Sequence, residues 1–221
     1  ANGVLQFDLW DDVQFEQVFD WKSLKARIIK SGLRNSLLLA IAPTATIASI
    51  CGAYECIEPQ LSNLFKRETM SGEFLQVNKY LVEDLKKLDL WTEEVRNEIK
   101  LGEGSIQGIE VIPQRLRDLY KTAWEISNKA VINVAAARGP FLDQSQSLNL
   151  FVESPTIGSV SSMYMYAWEK GLKTTYYLRS RPATKIRKAT TISAPVVLDI
   201  YTDAEALACS LENPEECEAC Q

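Results

Sequence analysis

GLRNSLLLAIAPTATIAS, residues 32–49, passes from an apolar run into small and hydroxyl residues. Leu37 to Ala42 is a short apolar run, and Pro43 ends it as it would end a buried strand. Small and hydroxyl residues follow, so Thr44 to Gly52 can turn into a helix. A strand running into a helix is the building unit of an α/β fold. The first N–H groups of a helix have no partner within it, and with threonine hydroxyls beside them they can receive an anion. The run from Pro43 to Ser49 is therefore either a phosphate site or an ordinary capped helix start. It lacks the lysine of a nucleotide-triphosphate loop.

Working outward, Trp21 to Ser31 sets Lys and Arg among apolar positions at helical spacing, with Gly32 placed just past a helix end. Residues 3–10, GVLQFDLW, read as a short extended segment. From Ser71 onward, Phe74, Val77, Leu81, Leu85 and Leu88 recur at helical intervals and predict one helix. Thr92 is a cap for another, with Glu93 and Glu94 in its first turn and Gly102 beyond its end. The longest predicted helix runs from Pro113 to Arg138 and packs along Leu116, Leu119, Ala123, Ile126, Ala130 and Val134. Leu148 to Val152 is strand-like, Ser159 to Lys170 is a helix ending at Gly171, and LKTTYYL (172–178) is rich in β-formers. Strands alternating with helices favour α/β architecture, but four short strands make a poor complete sheet. The expectation is a piece of something larger. After Arg181-Pro182 the pattern weakens, and the acidic stretch Leu211 to Gln221 is expected to be a mobile tail.

Composition narrows the chemistry. The 221 residues are 46% apolar, enough for one large domain or two small ones. A net charge of −5 provides no basic footprint for nucleic acid or a membrane surface. No stretch approaches the roughly 18 apolar residues of a membrane span. With no signal peptide visible at Ala1-Asn2-Gly3-Val4, a soluble, cytoplasmic protein is expected. Histidine is absent, which removes Ser-His-Asp and Cys-His hydrolases and most zinc chemistry. Five cysteines, an odd number, fit a reducing compartment with a few special thiols.

Two thiol positions stand out. Cys217 and Cys220, in the terminal CEACQ, are spaced for an intramolecular disulfide and have the reach of a chain end. The alternatives are an intermolecular metal site or incidental thiols. Cys209 is a further tail thiol, whereas Cys51 and Cys56 read as buried small apolar residues. Tyr176 and Tyr177, adjacent in the LKTTYYL strand, are expected on opposite faces. They are either packing aromatics or redox-active phenols.

GLRNSLLLAIAPTATIAS (32–49), SGEFLQVN (71–78), DQSQSLNLF (143–151), GLKTTYYLRSRPA (171–183) and CEACQ (217–221) occur in one order and spacing. In that combination the chain resembles the large, catalytic subunit of class I ribonucleotide reductase, specifically its C-terminal portion. The resemblance implies a helix-rich α/β piece of a ten-stranded barrel, incomplete alone. Residues 1–183 would belong to the barrel domain, and 184–221 would be a linker and flexible redox-active cysteine tail.

The activity implied is reduction of ribonucleoside diphosphates by radical chemistry. Thr44, Ala45, Thr46 and Ile47 would hold the substrate phosphates, Ile47 through its backbone alone. Tyr177, the outer residue, and Tyr176, the inner one, would pass a radical inward from the small subunit. The tyrosine pair itself favours class I, because relatives that make their radical locally have no use for a relay. Cys217 and Cys220 would re-reduce the active-site disulfide and be reduced by thioredoxin or glutaredoxin. The helix of Ser159 to Lys170 would help to form a groove for the small subunit's C-terminal tail. No cofactor or metal would bind this chain; a metal-containing small subunit would supply the radical.

One departure matters. The family's catalytic loop has an Asn-x-Cys-x-Glu arrangement, but the residues two before Cys51 and Cys56 are Ser49 and Tyr54. The radical cysteine is thus expected from an N-terminal part of the large subunit, as is nucleotide sensing. A split, intein-processed or truncated subunit would explain this. Two rivals are a non-catalytic fragment that only binds the small subunit, and a stand-alone thiol shuttle.

Overall fold

The computed structural model describes residues 2–11, 13, 16, 18–69 and 72–181. The predicted cysteine tail, with Cys209, Cys217 and Cys220, lies outside them. In chain order the elements are α1 (Trp21–Ser31), α2 (Ala45–Cys51), β1 (Leu64–Thr69), β2 (Gly72–Val77), α3 (Lys79–Lys87), α4 (Glu93–Leu101), α5 (Gln114–Leu119), α6 (Asn128–Arg138), β3 (Leu150–Phe151), α7 (Ile157–Glu169) and β4 (Leu178–Arg179). The described residues form two compact units: those within 44–127, and those within 1–43 together with 128–181.

Unit 44–127 is built on Leu81, Leu85, Val95, Ile99, Ile106 and Ile112, all buried in one apolar cluster. Its helices start where local chemistry starts them. The Thr92 hydroxyl accepts the Val95 N–H, and Glu93 and Glu94 occupy the favourable first turn of α4. The helix predicted from Ser71 begins later than expected. Residues 72–77 instead pair antiparallel with 64–69, from Leu64 opposite Val77 to Thr69 opposite Gly72. Asn78 makes the switch: its N–H bonds to the Asn63 carbonyl at 2.8 Å, and its side chain accepts the Tyr80 N–H. The helical spacing is real only from Leu81 onward.

The single long helix expected over Pro113–Arg138 is three pieces: α5, a 3-10 turn at Ala123–Glu125, and α6. In a continuous helix the Ala123 N–H would bond to Leu119. Here it bonds to the Gln60 carbonyl at 2.8 Å, and the Glu125 carboxylate takes the Thr122 N–H at 2.7 Å. Both bonds divert the backbone from the helical ladder.

The other unit buries Ile132, Ala135, Leu148, Leu150, Met163 and Ala167. Residues 3–10 are not simply extended, because Gln6–Leu9 is a 3-10 turn. Asp8 closes that turn on the Leu5 N–H at 2.8 Å and ties it to α1 through Lys25 at 2.7 Å. The run 144–152 receives neighbours on two sides, both parallel. On one side Ile41 bridges Gln146, and the Ser147 N–H reaches the Ile41 carbonyl at 2.8 Å. On the other, β3 pairs with β4.

Leu37 to Ala42 is therefore extended as predicted but not buried. Leu37, Leu38 and Leu39 are 54%, 61% and 56% exposed, since their backbone is paired only along 143–147 and no described residue covers their side chains. The result is a helix-rich α/β arrangement with no closed barrel among the described residues. No helix among them is long and apolar enough to cross a membrane.

Candidate functional site

Tyr176 and Tyr177 are held from beneath by a buried strand. The Tyr176 N–H donates to the Leu148 carbonyl at 2.7 Å, and the Leu150 N–H donates to the Tyr177 carbonyl at 2.9 Å. Leu148 and Leu150 are buried, so the backbone under the pair sits on a packed layer. The side chains do not take opposite faces as expected. Regular strand begins only at Leu178, and the pleat's alternation does not govern the residues before it. The Tyr176 hydroxyl donates to the Tyr177 oxygen at 3.0 Å, and the ring centroids are 3.9 Å apart at an interplanar angle of 49°.

The bond to Tyr177 raises the Tyr176 phenol above its ordinary value, with burial adding to it. Tyr176 is thus neutral at physiological pH. Both rings remain open to their surroundings, at 42% and 53% exposure. Two phenols with bonded oxygens and rings in close, tilted contact can exchange a proton along the hydrogen bond and an electron between rings. Taken together, that is transfer of one hydrogen atom. The Arg179 guanidinium lies 5.6 Å from the Tyr177 ring centroid, and Arg181 pairs with Glu153 at 2.9 Å.

The predicted phosphate segment belongs to the other unit. Ala45, Thr46 and Ile47 open α2, whose first N–H groups have no helical acceptor. Thr46 and Ile47 are exposed. The Thr44 hydroxyl does not cap α2; it donates to the Glu55 carbonyl at 2.7 Å, which ties the helix start to the loop that follows. The Thr44 oxygen retains its capacity to accept.

Residues 1–178 match the family described as ribonucleotide reductase, barrel domain. The chain belongs to that family. Among the ribonucleotide reductases it resembles, the ribonucleoside-diphosphate reductase large chain of Schizosaccharomyces pombe is 45% identical over 251 residues, covering 100% of this chain and 31% of the relative. The Danio rerio large subunit is 44% identical over 233 residues, covering 100% and 29%. Among solved structures, the Actinobacillus ureae class Id ribonucleotide reductase alpha subunit superposes with a TM-score of 0.60 at 33% identity. That match covers 71% of this chain and 28% of the other. The chain spans less than a third of the length of these relatives, matching the C-terminal portion of the large subunits.

Within this reductase barrel piece the two remaining cysteines differ from expectation. Cys51 is exposed at the end of α2, where no neighbouring element covers it, and Cys56 is half-buried. Burial pushes the Cys56 thiol up to about 12, with Glu58 adding to the shift, so it is a poor nucleophile at neutral pH. Two residues that sequence reasoning missed support the site. Asn128 locks onto the backbone of Phe151, and the Asp143 carboxylate accepts the N–H groups of Leu38 and Leu39 at 2.6 and 2.9 Å. Asp143 was visible as the first residue of DQSQSLNLF, but nothing local identifies its acceptor role.

Proposed function

We propose that this chain is the C-terminal part of a ribonucleoside-diphosphate reductase large subunit that carries the final radical relay and the phosphate grip. The carrying observation is the Tyr176–Tyr177 contact, with oxygens 3.0 Å apart and ring centroids 3.9 Å apart. A radical arriving on Tyr177 from a metal-containing small subunit moves inward when Tyr176 gives up a hydrogen atom. The Tyr176 O–H bond breaks, its proton and electron pass to Tyr177, and Tyr177 returns to a phenol. Tyr176 then oxidises a cysteine supplied by a part of the large subunit outside this sequence.

The N–H groups of Ala45, Thr46 and Ile47, with the Thr44 oxygen, hold the phosphates of a ribonucleoside diphosphate. Cys217 and Cys220 re-reduce the active-site disulfide and are themselves reduced by thioredoxin or glutaredoxin. The domain boundary that fits this division is 1–183 for the barrel piece and 184–221 for linker and thiol tail. Ile157 and Trp168 of α7, 77% and 71% exposed, suit an apolar stretch of the small subunit's tail. This chain needs no cofactor of its own, and the reducing partners fit a cytoplasmic setting.

The test is Tyr176→Phe and Tyr177→Phe in the complete large subunit, assayed with its small subunit. Each should bind substrate and small subunit as the parent does while turnover falls by roughly four orders of magnitude, as for loss of an obligatory catalytic group. Near-parent turnover in either variant would reduce that tyrosine to packing. If this chain binds the small subunit but supports no turnover with any large-subunit complement, the non-catalytic reading takes its place.

A further inference from the structure

Arg179 follows Tyr177 by two residues, at the end of the short strand β4. The backbone beneath both is pinned to one neighbour. The Leu150 N–H bonds to the Tyr177 carbonyl, and the Val152 N–H bonds to the Arg179 carbonyl, each at 2.9 Å. With the strand held in this way, the guanidinium carbon lies 5.6 Å from the centre of the Tyr177 ring. Among the described residues no cation–ring contact to Tyr176 is present, so the two members of the pair are electrostatically unequal.

We propose that Arg179 is a positioning residue of the relay that makes Tyr177 harder to oxidise than Tyr176, and so drives the radical inward. This rests on the relay reading above. A guanidinium over an aromatic face is attracted to the electron-rich π cloud. Oxidation to the phenoxyl removes electron density from that cloud, so the cation favours the reduced Tyr177 over its radical. The step itself balances. Tyr177 phenoxyl and Tyr176 phenol become Tyr177 phenol and Tyr176 phenoxyl, with the Tyr176 proton crossing the 3.0 Å hydrogen bond and one electron passing between the rings. Arg179 takes no proton and no electron. It sets the direction in which the exchange is favourable.

The experiment uses the complete large subunit with its small subunit and a ribonucleoside diphosphate. 3-Aminotyrosine, which is more easily oxidised than tyrosine, is placed at position 176 or 177 as a radical trap. The trapped radical is then quantified by electron paramagnetic resonance in the Arg179 parent, Arg179→Gln and Arg179→Lys. Loss of the cation should raise the trapped radical at position 177 by roughly two- to fivefold, the size expected for an exposed cation–ring contact. The signal at 176 should not change, and the lysine variant should lie near the parent. A merely structural role would lower both signals together. That result, no change at 177, or lysine behaving like glutamine would each overturn the proposal. If the Arg179 parent traps no radical at either position, the relay reading fails and this inference fails with it.

Discussion

The side-chain amide of Asn128 closes two hydrogen bonds on the backbone of Phe151, donating to its carbonyl at 2.7 Å and accepting its N–H at 3.1 Å. Both residues are buried, so this is a sealed joint between the first residue of α6 and the strand that carries the tyrosine segment. Replacing Asn128 by Ala leaves a buried N–H and a buried carbonyl without their partner. The expected cost is about 2 kcal/mol or more in chemical denaturation. Amide exchange at Phe151 should accelerate before global unfolding. Unchanged exchange there would show that the joint does not hold the strand.

Among the glycines described in unit 44–127, Gly104 leaves the least room for a side chain. Its φ is +91°, and an added Cβ would run into the Ser62 hydroxyl and come within 2.8 Å of the Leu64 nitrogen. Gly104→Ala should therefore lower stability by about 2–4 kcal/mol, combining left-handed strain with overpacking. Gly108→Ala, where a Cβ would meet nothing within 4 Å, should change the melting temperature little. Equal effects at the two positions would contradict this account.

Asp143 makes the 37–41 segment sensitive to acid. Its carboxyl is held below the ordinary aspartate value by the Leu38 and Leu39 N–H groups, which bond to the charged form. A group with a lowered folded value stabilises the fold above its unfolded pKa of about 3.9, and that stabilisation disappears as pH falls through the lower folded value. Asp143→Asn should thus flatten the loss of melting temperature below about pH 4. An acid limb as steep as the parent's would assign the sensitivity to other carboxylates, such as Asp8 with its Lys25 partner.

The tail assignment has its own test. Cys217→Ser should collapse thioredoxin-driven turnover of the complete complex, by roughly a hundredfold or more as for loss of an essential group. A small-molecule dithiol, which can reach the active-site disulfide directly, should still support activity. If thioredoxin drives the variant as well as the parent, Cys217 and Cys220 are not the shuttle.

Local features of the fold were legible because their physics is local. Gly32 lies just past α1 and takes positive φ, Thr92 caps α4, and α7 ends just before Gly171. Each depends on groups within a few residues along the chain. The hairpin of 64–69 with 72–77 was not legible, because Phe74 and Val77 also fit the helical spacing that continues through Leu81 and Leu85. The break in the expected helix over 113–138 was hidden for a related reason. It depends on the Gln60 carbonyl, far back in the sequence, taking the Ala123 N–H.

For the candidate site, the groups available for chemistry were readable along the chain: the phenols of Tyr176 and Tyr177, the hydroxyl and small residues from Thr44 to Ile47, and the absence of any histidine. Chemical identity is a property of the residues and survives any fold. How those groups meet came from packing between segments distant along the chain. It turned the two phenols onto one hydrogen bond rather than opposite faces, gave the Thr44 hydroxyl to the Glu55 carbonyl, and set the Arg179 cation against the Tyr177 ring. Those outcomes depend on distances of a few ångströms, set by how strand β3 packs beneath the tyrosines in one unit and by how the loop after α2 folds back in the other, and no spacing along the chain encodes them.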